Sequence, residues 1–224
     1  NTQPIKKTDI SIIPNPIDID RFKPTSKLNP TPHKALFIAS ARTSIERIQM
    51  IEQACKQLNI PLTVIGKKKR VANIKDYIQQ SDLVISVGRG ILASMACGKA
   101  VLVLDHDKGD GMVTKDNINE IKKHNFSGRR YKIDFNTTTL SQEIQRYEPS
   151  MGEINRSLIQ LDFNAKDITK SIITQMEKSI KTFKPKKVLI PQTEITWIYQ
   201  NFIANQIEQT WTTKIKRRLT QLIS

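Results

Sequence analysis

Residues 87–105 read VGRGILASMACGKAVLVLD. Two glycines and an arginine follow one apolar run, SDLVIS (81–86), and a second, AVLVL (100–104), comes after a string of small residues. A strand that turns through glycine into a helix, followed by another buried strand, is the unit of a parallel α/β sheet. The stretch therefore decides the fold, and it raises the question of what the Gly88–Gly90 turn lies against.

Working outward, further short β-branched runs read as strands: ALFIAS (35–40), LTVIG (62–66) and, more weakly, YKIDF (131–135). Helical patterns separate them. Over 43–58, Ile45, Ile48, Ile51, Cys55 and Leu58 recur at spacings of three and four. Shorter helices are expected over 71–80, 90–97 and 115–124, then a helical stretch over 138–147, 151–161 and 165–183. The expected architecture is α/β, a Rossmann-like parallel sheet flanked by helices, with a helical C-terminal extension. The proline-marked KPTSKLNPTPHK (23–34) and FKPKKVLIPQTE (183–194) divide it into a lead-in and linker (1–34), a sheet domain (35–183) and a tail (184–224). Since it begins with Asn1, the chain is expected to be a fragment or a processed product.

Thirty-six Lys and Arg against 21 Asp and Glu give a net charge of +15, which favours an anionic partner. Basic residues are not interleaved with aromatics on a recognisable module, so nucleic acid is not the expected partner. No run of about 18 apolar residues exists to span a bilayer. Cys55 and Cys97 lie in apolar helical stretches without C-x-x-C spacing, which suits a reducing, cytoplasmic location and no disulfide. From Lys181 onward eight bases and two acids leave the tail at +6. Its stripe of Ile195, Ile198, Phe202, Ile207, Trp211, Ile215, Leu219 and Leu222 suits packing on protein, or peripheral contact with an anionic inner membrane.

The turn itself admits three readings. Gly88-x-Gly90-x-x-Ala93, with Asp105 ending the next strand, matches a dinucleotide fingerprint and would suit NAD in an oxidoreductase. Alternatively, the small residues serve only to let a helix lie close to a sheet. The third reading adds the wider sequence. SIIPNPIDIDRFKP (11–24), ASARTSIER (39–47), SDLVIS (81–86) and ILASMACGKAVLV (91–103) follow one another at suggestive spacing. Together they resemble the "pNGvDxxxF", "vGRLxxxKG", "aDvxv" and "xLEAMACGxPVxx" stretches in the donor-binding half of retaining GT-B glycosyltransferases. The block GDGMVTKDN to NFSGRRY (109–131) is similar to the continuation in one divergent branch.

That resemblance implies a donor-binding domain for a nucleotide-diphosphate sugar and transfer of a hexose to a glycan, lipid or protein acceptor. It implies a separate acceptor-binding domain, no metal and no resident cofactor. Arg42 and Arg47 fall at the family's arginine and lysine. With Gly88, Arg89 and Gly90 they are the expected diphosphate ligands, because guanidinium groups and a helix N-terminus both suit phosphate oxygens. The loop DHDKGDG (105–111) is expected to touch sugar hydroxyls through Asp107, Gly109 and Asp110; its acids lack EF-hand spacing. The chain departs from the family at its paired glutamates, whose positions hold Ile85 and Ala93. A non-catalytic binding module with a degenerate site therefore stands as a further alternative, and the chain by itself is expected to be inactive.

Overall fold

The computed structural model describes residues 12–66, 71–106 and 108–182. Within them β1 (Ala35–Ala39), β2 (Leu62–Gly66), β3 (Leu83–Ser86), β4 (Ala100–Leu104) and β5 (Gly109–Met112) form one sheet in the order β2-β1-β3-β4-β5. The first four are mutually parallel and β5 runs antiparallel to β4. The fold is α/β, with a mostly parallel five-stranded sheet flanked by helices and followed by helices.

Side chains alternate between two cores, as strand geometry requires. Phe37, Leu83, Ile85 and Leu102 point to one face, which α1 (Ile45–Gln57) and α5 (Thr137–Ile144) cover through Ile51, Cys55, Leu140 and Ile144. Leu36, Val84, Val101 and Val103 point to the other, covered by α2 (Ile74–Gln79), α3 (Arg89–Ala96), α4 (Ile118–Lys123) and α6 (Ser150–Asp162). The two cysteines lie in opposite cores, and burial pushes each thiol up to about 11. They are therefore unreactive packing residues, unable to reach each other across the sheet.

The last described helix, α7 (Ala165–Thr182), begins in the sheet-bearing unit, which extends to Met176. The expected tail (184–224) lies outside the described residues, and so do the packing and membrane readings placed on it. Among the described residues no helix is long and apolar enough to cross a membrane.

The lead-in segment is bound to the sheet unit by specific contacts. Ile17 forms a parallel bridge with Asn164, and the Arg156 guanidinium donates to the carbonyls of Phe22 (2.8 Å), Ala96 (2.7 Å) and Ile19 (3.2 Å). The Asp82 carboxylate accepts from the Asn29 side chain (3.0 Å) and the His33 amide (2.8 Å), so His33 contributes its backbone there.

Lys99, fully buried ahead of β4, donates to the Gln79 carbonyl at 3.0 Å. Burial lowers its pKa from 10.5, against the opposing pull of Asp82. The native lysine therefore gives up its proton at lower pH than the unfolded one, and native stability rises with pH up to and through 10.5. Relative to Lys99→Met, the wild type is expected to gain stability between pH 7 and pH 10, read from urea midpoints at both values.

Two expectations need correction. Gly109 and Asp110, expected in a loop, form the edge strand β5, which pairing with β4 creates without any apolar pattern. The predicted strand over 131–135 is reduced to one bridge between Ile133 and Gly109.

Candidate functional site

In the order β2-β1-β3-β4 the chain leaves β1 toward one side of the sheet and β3 toward the other. Their carboxyl ends therefore flank the topological switch point, where open α/β sheets leave a crevice for ligands. Each of these strands ends in a four-residue turn. After β1, the Thr43 amide donates to the Ser40 carbonyl at 3.2 Å, and the Thr43 hydroxyl accepts from the Ser40 amide at 3.0 Å. After β3, the Gly90 amide donates to the Val87 carbonyl at 3.2 Å. Arg42 and Arg89 hold the same position, the third, in these two turns, and both are exposed. Among the described residues neither guanidinium group meets a carboxylate.

The two glycines have different tasks. Gly88 adopts φ +54° and ψ −120°, the first central position of a type II′ turn, which L side chains avoid. A Cβ there would meet nothing within 4 Å, so the turn faces open space. At Gly90 a Cβ would lie 2.3 Å from Ser86 Oγ. Glycine there lets the first turn of α3 rest on the end of β3. The small residues behind it, Ala93, Ser94 and Ala96, are buried against the sheet. The helix body thus serves close packing, while the Cα of Gly88 faces open space beyond the end of β3.

Arg47 sits differently. Its Nε donates to the His106 carbonyl at 3.1 Å, and Nη1 reaches the Phe135 carbonyl at 3.5 Å. From the first turn of α1 it thereby draws the β4–β5 connection toward the end of β1. That connection is a tight hairpin closed by the Asp105 amide on the Lys108 carbonyl (2.9 Å), with Asp105 Oδ1 held 2.8 Å from His106 Nδ1. Asp107 lies outside the described residues. Asp110 is 2% exposed, and its Oδ1 accepts from the Tyr131 amide at 2.7 Å. Among the described residues no group of His, Cys, Asp and Glu could hold a metal ion.

The structure also brings in a segment that sequence reasoning left without a place. The Phe126 carbonyl accepts from the Gly88 amide at 2.8 Å, which takes that amide out of any contact with a ligand. Gly128 lies against the β4–β5 hairpin; a Cβ on it would be 3.0 Å from the Lys108 carbonyl and 3.4 Å from Asp105. The polar, glycine-containing NFSGRR hinted at a turn, but its anchoring point is a backbone carbonyl, which sequence cannot mark.

The two positions at which the resemblance would place glutamates are both interior. Ile85 is fully buried in β3 and Ala93 is 6% exposed in α3. A scan of protein-family models finds no match to the chain, and a search of curated proteins finds none either.

Proposed function

We propose that this chain is the donor-binding domain of a glycosyltransferase, and that its carboxyl-edge crevice takes the diphosphate of a nucleotide sugar. The observation that carries the reading is the matched pair of turns that set Arg42 and Arg89 on either side of the switch point. Two guanidinium groups at such a place suit an extended phosphate anion, to which each donates charge-assisted bonds. The motif resemblance of residues 11–103 supplies the nucleotide sugar as the particular anion.

In this account the chain's own residues bind and orient the leaving group. When the bond to the hexose breaks, negative charge collects on the distal phosphate. Fixed cations stabilise that charge most where water is excluded. Arg47 acts indirectly, by holding the β4–β5 hairpin beside the crevice. With Ile85 and Ala93 in place of two carboxylates, those two positions supply no acid to the sugar. A second wall carrying the acceptor is then required, and the isolated chain is expected to transfer no hexose in an assay with labelled nucleotide sugars.

The ill-equipped sugar end also favours one second reading, a binding module that keeps the donor site without chemistry. Ligand-observed NMR with UDP, GDP, ADP, their hexose conjugates and NAD tests the assignment. Binding of one nucleotide diphosphate above the rest is expected. Preference for NAD would hand the Gly88–Ala93 turn to an oxidoreductase, and silence from every ligand would remove the donor site. Binding accompanied by transfer on addition of an acceptor-binding domain would separate the enzyme from the module.

A further inference from the structure

We propose that Arg129 is a third cation of this same anion site, and that the Phe126–Tyr131 turn suits it to two linked phosphate groups over a single one. The inference rests on the donor-site reading and extends it to a segment outside the β–α units.

The path of the turn carries the argument. Phe126 is tied by its carbonyl to Gly88 at the end of β3, Gly128 lies on the β4–β5 hairpin, and Tyr131 is tied by its amide to Asp110 in β5. The segment therefore crosses the carboxyl edge from β3 over β4 to β5, and Arg129 stands between two fixed points on it. Neighbouring strands are about 4.8 Å apart, so Arg129 is displaced from Arg89 by roughly one strand spacing or two, further from the switch point. That displacement suits a second anionic group attached to the one between Arg42 and Arg89.

The turn is held in a costly conformation. Asn125 and Phe126 both have positive φ, at +54° and +51°, which non-glycine residues take up only when their surroundings impose it. The Phe126 ring supplies that constraint. It is fully buried, with its centroid 6.1 Å from that of Phe163. The two arginines that follow are unlike each other. Arg130 pairs with Glu120 at 3.3 Å and stands over the Tyr131 ring. Arg129 is exposed, and among the described residues no carboxylate pairs with it. Of the acids nearest to this turn, Asp105 is held by His106, and Asp110 accepts from the Tyr131 amide through Oδ1 while its buried Oδ2 has no partner among the described residues. Three exposed arginines thus lie on segments at one edge, and among the described residues none of them forms an ion pair.

The test is titration calorimetry of the full chain with inorganic pyrophosphate, inorganic phosphate and the nucleotide diphosphates, for wild type, Arg129→Ala and Arg130→Ala. Wild type is expected to prefer pyrophosphate to phosphate. Arg129→Ala should weaken pyrophosphate binding about tenfold, the size of one charge-assisted contact, and change phosphate binding by less than about twofold. Arg130→Ala should leave both within about twofold, and thermal melts of both variants should match wild type, since the side chains are exposed. Equal weakening of both anions by Arg129→Ala, or no weakening while pyrophosphate or a nucleotide diphosphate binds, overturns the role of Arg129 alone. A wild type that binds none of these ligands overturns the donor-site reading with it.

Discussion

Replacing Arg42 and Arg89 together by alanine is expected to abolish nucleotide-diphosphate binding while leaving the melting temperature within about 2 °C of wild type. Each side chain projects from the third position of a four-residue turn whose hydrogen bonds are made by other atoms. Removing it leaves the turn intact, and exposed substitutions of this kind shift stability by about 0.5 kcal/mol or less. The binding effect is far larger. A hydrogen bond to a charged group contributes about 1.5–3 kcal/mol, or roughly tenfold to more than a hundredfold in affinity for each arginine. On the proposed reading the two arginines grip one anion from adjacent strands, so the double variant should lose at least about a hundredfold. Titration of the single and double variants checks the sizes. Loss from one variant with none from the other would place the anion outside the switch point.

Gly66→Ala is expected to destabilise the sheet unit by about 3 kcal/mol. Gly66 ends β2 with φ +89°, and a Cβ on it would lie 2.2 Å from the Ala39 carbonyl oxygen. Strain in a left-handed conformation costs on the order of 1–3 kcal/mol, and forced displacement of a packed neighbour costs about as much. For a unit of this size the melting temperature should fall by roughly 6–12 °C. Ala39 is also the residue that leads into the Ser40–Thr43 turn, so the displaced carbonyl should carry Arg42 with it. Calorimetric melting gives the first effect, and titration of the folded variant with a nucleotide diphosphate gives the second. A melt unchanged from wild type would contradict the close approach of β1 and β2 at this point.

Much of this was legible because burial writes a periodic pattern. The runs that became β1 to β4 are apolar and β-branched because helices cover both faces of the sheet, and Ile48, Ile51 and Cys55 mark the inward face of α1 by their spacing. β5 left no such mark. GDGM becomes a strand through backbone pairing with β4, and its glycines avoid close neighbours such as the Val103 carbonyl, 2.5 Å from a Cβ on Gly109. Glycine and aspartate in series read as a loop, and so Gly109 and Asp110 were expected in one.

The same contrast runs through the site. The placement of Arg42 and Arg89 at one edge was readable because each follows a strand directly, and strand ends of a parallel sheet share one edge. Arg47 has the same chemistry, but its partners are carbonyls 59 and 88 residues away, fixed by the hairpin after β4 and the approach to α5. Local sequence carries no sign of such partners. Nor could it show that the Gly88 amide is occupied, since the acceptor is the main chain of Phe126.

The most direct test of the central claim is amide chemical-shift mapping of the full chain during titration with the best-binding nucleotide diphosphate. The account predicts that the largest shifts fall on Ala41–Thr43 and Arg89–Ile91, at the carboxyl ends of β1 and β3. Shifts confined instead to the cleft of about 630 Å³ near Leu28, Gly98, Gly152 and Arg156, by the start of β4, would contradict it.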